Sequence, residues 1–399
     1  MPTIADLPEV TFADALSSES PYAYAARMRA IAPLARLPFG VMGWRYRHIE
    51  RAMSETTRQM ETELKMMQGI VSGPIYDFTK TAMLFANGDV HARRRAPISR
   101  TFAFKLMDAM RGEVSTLAHA LIAERKGAGP FDFVAEVAAQ IPARIIARIL
   151  GAPEADLPVF MRWIDDAASA LGVIDLNRRA EIEASMVAFE AYVAGLLDDR
   201  RRAPRTDFLT DYVAATARDG DLSEAEIRTQ VMGLILAGSD TTRNSLCMTF
   251  ATLLQHPDQW RAFCADPDGL KKSVTDEGLR YEPVISALPR FVTADMDVDG
   301  WTIPAGTLFS VSLISALRDP DVYAEPDRFD IRRTDHPRWH PVFGAGAHRC
   351  AGEALAKAEL EETLAALARE APRARIVGPP PRLQPGAIRK VDQMVVAFD

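Results

Sequence analysis

The stretch from Phe343 to Gly352 reads Phe-Gly-Ala-Gly-Ala-His-Arg-Cys-Ala-Gly, and it is the most informative part of the chain. Glycines at 344 and 346 allow the backbone to turn tightly and to approach a flat ligand closely. Cys350 comes just before an alanine-rich stretch with helical character. The unpaired N–H groups and the positive end of such a helix favour a thiolate over a thiol. The stretch therefore predicts a loop that presents a cysteine close to a helix N-terminus.

On residue types alone, several interpretations of Cys350 compete. A single cysteine is more often a small buried hydrophobic side chain than a ligand. A Gly-x-Gly pair is weak evidence for a phosphate site. A catalytic cysteine nucleophile also favours a helix N-terminus, but it usually has a histidine base nearby. These local features do not decide between a structural and a functional cysteine.

The complete ten-residue string resembles the haem-binding loop of the cytochrome P450 family of haem-thiolate monooxygenases. The pattern of that loop is Phe, Gly, any, Gly, any, His or Arg, any, Cys, any, Gly, and every fixed position is matched. The resemblance implies haem b as cofactor, O2 as co-substrate, and Cys350 as the thiolate ligand of the iron. It also implies that Phe343 packs near the sulfur, and that Gly344, His348 and Gly352 belong to the haem site. A thiolate ligand favours O–O cleavage.

The clearest helical pattern of the chain opens at Ser223. Ser223 and Glu226 fit a capping box, and apolar residues continue on one face until Pro257 stops the helix. A helix of about 33 residues measures about 50 Å at 1.5 Å per residue. Polar residues from Ser239 interrupt the pattern, so a helix boundary capped by Ser239 or Asp240 is an alternative. The continuous periodicity favours one distorted but unbroken helix.

The polar interruption reads Ala237-Gly238-Ser239-Asp240-Thr241 and resembles the oxygen-binding groove of the same family. The resemblance implies that Ala237 and Gly238 lie against the haem. It also implies that Asp240 and Thr241 form an acid–alcohol pair that delivers protons during oxygen activation. A peroxide-dependent branch of the family usually lacks this pair, so its presence favours O2 with external electrons.

Glu277 and Arg280 are three residues apart on a predicted helix, so they share a face. Alone, such a pair is usually a solvated surface pair. Downstream, Pro326-Asp327-Arg328-Phe329 resembles the Pro-x-Arg-Phe element of the family. The resemblance implies a buried structural triad of Glu277, Arg280 and Arg328 that holds the loop of Cys350.

Haem carries two propionates, which need cationic or hydrogen-bonding partners. His91 and Arg95 are four apart on a predicted helix and face the same way. The resemblance implies that they bind the propionates together with Arg290 and His348. A candidate basic docking face for an acidic ferredoxin is formed by Arg93, Arg94, Arg100, Lys105 and Arg349.

Segments that line the substrate pocket in the family are chiefly apolar here, which favours a small or medium hydrophobic substrate such as a terpenoid or an aromatic compound. Each side chain also fits an ordinary core position. Lys80 or Arg243 is an alternative partner for a substrate carboxylate. The candidate substrate contacts are Phe78, Phe85, Gly233, Leu236, Ser286 and Leu288.

The composition narrows the class of protein. The chain has 399 residues, 48% of them hydrophobic, which excludes a disordered or fibrous protein. Three cysteines are too few for a disulfide scaffold or a four-thiolate zinc site. A net charge of −7 argues against nucleic-acid binding. No signal peptide and no apolar run of about 20 residues is present, so we expect no membrane span and a cytoplasmic location. We also expect a monomer.

Together these features predict a mainly α fold with a small β-rich lobe, organised as one domain over residues 1–399. A hairpin is expected at 33–44 and extended structure at 284–311. The resemblance implies the cytochrome P450 fold, with haem between the long central helix and the Cys350 loop with the C-terminal helix. The implied function is hydroxylation with electrons from NAD(P)H through a ferredoxin reductase and a ferredoxin. Alternatives are a peroxygenase driven by H2O2 and a haem-thiolate sensor without enzymatic activity.

Overall fold

The computed structural model describes residues 3–10, 20–102, 109–338 and 340–399. Their contacts form two compact units, one from residues 1–60 and 276–350 and the other from 61–275 and 351–399. The expectation of a single domain stays a prediction. The helices are α1 (Pro21–Ile31), α2 (His48–Ala52), α3 (Glu63–Met67), α4 (Pro74–Thr81), α5 (Gly88–Thr101), α6 (Arg111–Ala123), α7 (Gln140–Leu150), α8 (Leu157–Ala168), α9 (Arg179–Arg202), α10 (Phe208–Asp219), α11 (Glu224–Gln255), α12 (Pro257–Ala265), α13 (Pro267–Tyr281), α14 (Leu313–Ala316) and α15 (Glu353–Glu370).

The strands are short and fall into three sheets. The largest sheet has five strands in the order β1-β2-β8-β5-β3, and the others are β4-β10-β9 and β6-β7. The strands are β1 (Leu34–Leu37), β2 (Gly40–Gly43), β3 (Thr57–Arg58), β4 (Phe131–Asp132), β5 (Ala287–Val292), β6 (Met296–Val298), β7 (Trp301–Ile303), β8 (Leu308–Ser312), β9 (Arg375–Ile376) and β10 (Val395–Ala397).

The five-stranded sheet organises the first unit. β1 and β2 form the predicted hairpin, with Leu34 opposite Gly43. β2 and β8 run parallel, whereas β5 is antiparallel to both β8 and β3. The fully buried side chains of Val292, Phe309 and Val311 belong to one hydrophobic core beside this sheet. The extended pattern predicted for 284–311 is therefore confirmed as β5 to β8.

The helix α11 is the central element of the second unit. The Ser223 side chain accepts a hydrogen bond from the Glu226 N–H, and the Glu226 carboxylate accepts one from the Ser223 N–H, so the capping box is confirmed. The helix runs unbroken past Ser239, whose hydroxyl donates to the Ile235 carbonyl. A helix boundary at Ser239 or Asp240 is thereby excluded. α11 packs against α7, α8, α9 and α15.

Most other sequence predictions agree with the structure within a few residues. The sequence pattern also predicts helices at 21–30, 90–101, 269–281 and 351–369, and they correspond to α1, α5, α13 and α15. The helix predicted at 105–124 corresponds to α6, and its beginning falls outside the described residues. Among the described helices, none combines the length and the apolar character needed to cross a lipid bilayer.

Candidate functional site

The loop of Cys350 is folded by its own backbone. A short 3-10 turn ends at Phe343, and a second turn spans Gly346–His348. Gly344 and Gly346 have φ values of 69° and 62°, a region that side chains with a Cβ rarely adopt. The Cys350 N–H donates to the Phe343 carbonyl at 2.8 Å, which closes the loop. Gly344 and Gly346 are thus required by the shape of the loop, whereas Gly352 has an ordinary negative φ and is the N-cap of α15.

Of the three cysteines, Cys350 is the exposed one. Cys247 is buried within α11, and burial raises the pKa of its thiol far above the ordinary value. Burial also raises the pKa of the Cys264 thiol, to about 11. Because a thiolate is the ligating form, Cys350 is the cysteine best placed to hold a metal.

Glu277 and Arg280 form the buried pair that the sequence predicts, and both side chains are fully buried. The Arg280 guanidinium donates two hydrogen bonds to the Glu277 carboxylate, at 2.6 and 2.8 Å. It also donates to the backbone carbonyls of Leu317, Pro326 and Arg328. This ion pair therefore fastens the chain segment that leads to the Cys350 loop.

The third member of the network differs from the prediction. The Arg328 side chain is 57% exposed and pairs with Glu325, so it is not part of a buried triad. Arg333, which is 5% exposed, instead places its Nε 3.2 Å from Glu277. Arg328 contributes only its backbone carbonyl, which accepts hydrogen bonds from Arg280 and Arg333. Arg328 ends a tight turn, in which Glu325 has a positive φ of 45° and the Arg328 N–H donates to the Glu325 carbonyl, and its side chain lies in solvent beyond that turn.

Arg290 is a buried guanidinium without a carboxylate beside it in the described part of the chain. Its Nη1 donates to the Gln59 side chain and to the Pro289 carbonyl, both at 2.7 Å. Burial lowers the pKa of Arg290 to about 10. A desolvated cation of this kind is stabilised by an anionic ligand. A haem propionate fits this requirement.

His91 and Arg95 lie one turn apart on α5, as predicted. His91 is buried, and burial together with the nearby charge of Arg95 lowers the pKa of the imidazole. An anion beside both groups would reverse the effect of Arg95. His348 lies in the Cys350 loop and is partly buried. These residues fit the proposed propionate contacts, which stay predictions.

One face of α11 is left uncovered within an otherwise buried helix. From 231 to 253 the residues that are not fully buried are Gly233, Ala237, Gly238, Thr241 and Arg243. The first four are spaced four, one and three residues apart and so lie along one face. A Cβ added to Gly233 or Gly238 would meet no described atom within 4 Å. Gly233, Ala237, Gly238 and Thr241 form a small-residue strip, and this strip fits a flat ligand that lies close to the helix backbone.

Asp240 and Thr241 present their side chains differently. The Thr241 hydroxyl lies on the small-residue strip and donates to the Ala237 carbonyl at 3.0 Å. Asp240 is 1% exposed, and its two carboxylate oxygens each lie 2.8 Å from a cation, Arg243 and Lys390. The two cations compensate the buried negative charge. A buried acid paired with two cations and an alcohol are thus adjacent on one helix.

The cations around Asp240 were not identified from the sequence. Arg243 is engaged by Asp240 and Asp165, so its suggested role as a substrate-carboxylate partner is not supported. The spacing of three residues from Asp240 was a usable signal for this pair. Asn244 links α11 to the C-terminal segment, because its amide donates to the Asp240 carbonyl and accepts from the Val391 N–H.

The candidate substrate residues divide by burial. Phe78, Leu236 and Leu288 are buried in hydrophobic cores. Phe85, Gly233 and Ser286 are only partly buried. The second group is therefore the more accessible to a ligand, and its role stays a prediction.

Most members of the candidate basic face already have local partners. Arg93 and Arg94 both contact the Glu226 carboxylate, and Arg100 pairs with Asp219. Lys105 lies outside the described residues, and Arg349 donates to the Gly344 carbonyl. Arg93 and Arg94 thus join α5 to the start of α11 and offer less positive charge to a partner than the sequence indicated.

Comparison with known proteins agrees with the geometry. The cytochrome P450 family model matches residues 178–263 and 270–370. Cytochrome P450-pinF1, plant-inducible, of Rhizobium radiobacter is 40% identical, covering 86% of this chain and 82% of that protein. Luteothin monooxygenase of Streptomyces thioluteus is 32% identical, over 92% of this chain and 90% of that protein. The solved cytochrome P450 CYP109Q5 from Chondromyces apiculatus superposes with a TM-score of 0.85 at 25% identity, covering 98% of both chains. The chain therefore belongs to the cytochrome P450 family, whose monooxygenases carry haem b on a cysteine thiolate and use O2.

Proposed function

We propose that this monooxygenase hydroxylates a small or medium hydrophobic substrate, with electrons from NAD(P)H delivered through a ferredoxin reductase and a ferredoxin. The observation that carries the proposal is that Asp240, a buried acid in contact with two cations, is adjacent to Thr241 of the small-residue strip on α11. O2 activation by external electrons consumes protons, and this pair can supply them, whereas a peroxide-driven enzyme has no such need. Bound haem supplies the oxygen chemistry, and its thiolate ligand favours O–O cleavage.

Cys350 binds the iron in this proposal. Its loop is closed by the Cys350 N–H and braced through the Glu277–Arg280 pair, so the sulfur is held in one position. Arg290, His91, Arg95 and His348 bind the propionates. The support for Arg290 is the strongest, because it is buried and no carboxylate of the described chain neutralises it.

Thr241 and Asp240 handle protons in sequence. The Thr241 hydroxyl donates its proton in a hydrogen bond to the Ala237 carbonyl, so its oxygen can still accept a hydrogen bond from a group at the small-residue strip. Asp240 collects protons on the buried side of α11 and passes them toward Thr241. The cations Arg243 and Lys390 keep the Asp240 carboxylate in place while it does so.

The substrate class follows from what surrounds the strip. Its four residues are small and uncharged, and the nearby Arg243 is neutralised by Asp240 and Asp165. Lys80 is exposed on α4 and is the remaining candidate for a substrate carboxylate. An apolar ligand of modest size is therefore favoured. The name of the relative luteothin monooxygenase describes an enzyme that acts on luteothin.

The thiolate assignment is tested first by the reduced carbon monoxide spectrum. Wild type should show the red-shifted Soret band of thiolate ligation, and Cys350→Ala should lose it. Cys264→Ala is the matched control, because Cys264 is a partly buried cysteine outside the loop, and it should keep the band. Titration of the ferric protein with a library of apolar compounds then identifies ligands that shift the spin state.

The route of oxygen activation is tested with a compound found in that titration. With NADPH, a ferredoxin and its reductase, wild type should form product, and Asp240→Asn should form far less product per NADPH consumed. With H2O2 alone, both proteins should perform poorly and alike. Product formation that is fast with H2O2 and indifferent to Asp240→Asn would favour the peroxygenase instead.

A further inference from the structure

A small cavity adjoins Asp240, on the side of α11 that faces away from the small-residue strip. Its volume is about 30 Å³, and its polar lining consists of Asp165, Ser239, Asp240 and Arg243. The remaining wall is apolar and comes from the helices α7 and α8 and the residue before α7. A cavity needs about 10–15 Å³ and two or more polar partners to hold a water molecule. This cavity satisfies both conditions.

Two residues that line the cavity each have a buried atom without a hydrogen-bond partner among the described residues. These atoms are Oδ2 of Asp240, an acceptor, and Nε of Arg243, a donor. Lys390 Nζ lies 2.8 Å from the same Oδ2, but not in line for a hydrogen bond. Buried polar atoms without partners are rare, and ordered water commonly satisfies them. One water can accept from the arginine and donate to the carboxylate.

Asp165 connects this cavity to bulk solvent. Its side chain is 64% exposed, whereas the Asp240 side chain is 2% exposed. The Arg243 guanidinium contacts both carboxylates, Asp165 at 3.4 Å and Asp240 at 2.8 Å. A carboxyl group that reaches both solvent and the cavity is placed to exchange protons between them.

We propose that the cavity holds a water bound between Arg243 Nε and Asp240 Oδ2, and that Asp165 feeds protons through it to Asp240. The inference rests on the proposed proton role of Asp240 and deepens it. The Asp165 carboxyl gives its proton to the water, and the water passes one of its other protons to Asp240 Oδ2. Bulk water then reprotonates Asp165, so no proton is gained or lost along the relay.

Lys390 is the competing entrance, since its side chain is 35% exposed and contacts Asp240 directly. Asp165 lines the cavity and Lys390 does not, so Asp165 is the group placed to exchange protons with a water there. Two other titratable groups act on neighbouring residues of α11, namely Asp132, whose charge acts on Cys247, and Glu359, which hydrogen-bonds Thr242. Neither of them lines the cavity.

The water site is tested by crystal structures of the haem-loaded protein. Wild type should show an ordered water within hydrogen-bond distance of Arg243 Nε and Asp240 Oδ2. Ala143→Leu, which adds volume to the cavity wall, should expel it. The absence of the water from a well-ordered wild-type cavity would overturn the inference.

The relay is tested by O2 consumption with NADPH, a plant-type ferredoxin and its reductase, in H2O and in D2O. A relay residue contributes less than a positioned general acid, so we expect Asp165→Asn to slow consumption about tenfold. The solvent isotope effect should rise, and added acetate should restore part of the rate, which a purely structural residue would not show. Glu154→Gln is the matched control, because Glu154 is an exposed acid that pairs with Arg144 at 3.2 Å.

The outcomes separate this inference from the proposed function. Asp165→Asn behaving like Glu154→Gln, in rate, in solvent isotope effect and in its response to acetate, would overturn the relay. A wild-type protein without the thiolate carbon monoxide band would overturn the proposed function, while the crystallographic water still tests the site. Asp240→Asn without effect on either O2 consumption or product formed per NADPH would overturn both.

Discussion

The buried network around Glu277 allows a sharp test, because two nearby arginines are predicted to behave oppositely. Arg333 is 5% exposed and donates to five acceptor residues, Glu277, Asp335 and the carbonyls of Ala324, Glu325 and Arg328. Removing one partner of a buried ion pair costs about 3–5 kcal/mol. Arg280 and the Asp330 N–H continue to neutralise and bind Glu277, so we expect Arg333→Ala to cost about 2–3 kcal/mol.

Arg328→Ala is the matched substitution. Its side chain is 57% exposed and its partner Glu325 is 72% exposed, so we expect a cost below about 0.5 kcal/mol. The backbone carbonyl of Arg328, which does take part in the network, survives the substitution. Urea unfolding followed by circular dichroism measures both free energies, and haem content after expression provides a second readout. The reasoning would be refuted if Arg328→Ala destabilised the protein as much as Arg333→Ala.

Three further predictions concern single side chains. Burial raises the pKa of Glu226, but hydrogen bonds from Arg93, Ser223 and Arg94 outweigh this and lower it to about 2. Glu226→Gln should therefore lower the free energy of unfolding by about 1–3 kcal/mol at neutral pH. Thermal unfolding should show this difference shrinking as the pH falls below about 4.5, because a carboxyl with a lowered pKa stabilises the folded state only at pH values above its pKa in the unfolded chain. Burial raises the pKa of Glu359 to about 8. The free energy of unfolding of the wild type should therefore fall by up to about 1.4 kcal/mol per pH unit between about pH 4.5 and 8, because the folded protein keeps a proton that the unfolded chain has lost. Glu359→Gln should remove that slope, and equal slopes for both proteins in urea unfolding would contradict the prediction. Gly238→Ala should stabilise the haem-free protein by about 0.5–1 kcal/mol, because alanine favours the helix over glycine, yet it should weaken the binding of haem or ligand. Unchanged affinity in a spectral titration would show that the small-residue strip carries no ligand.

The parts of the fold that sequence predicts well are those set by local signals. The capping box at Ser223 and the stop at Pro257 bound α11 to within a residue or two. The hairpin at 33–44 follows from short apolar runs between glycines, and β1 and β2 confirm it. Such patterns depend on neighbours along the chain, so they survive without knowledge of the tertiary structure.

The site was predicted only where a motif spans a few residues. The Cys350 loop and the Glu277–Arg280 pair are of this kind. Asn244 contacts Val391, and Lys390 contacts Asp240, across about 150 residues of chain, so no spacing rule indicates either. The motif points to Arg328, whereas in the structure the Arg333 side chain reaches Glu277 and the Arg328 side chain is exposed. Side-chain direction after a turn is a tertiary property.

The small-residue strip on α11 also affects how the helix moves. Glycine disfavours helix by about 1 kcal/mol relative to alanine, and Gly233 and Gly238 receive no packing on the uncovered face. Residues 244–253 of the same helix are all buried. Backbone amides around Gly238 should therefore exchange with deuterium faster than those after Asn244, although both belong to one continuous helix. A ligand that covers the strip would supply the missing contacts, so amide exchange in this segment would report occupancy of the site without relying on the colour of the cofactor.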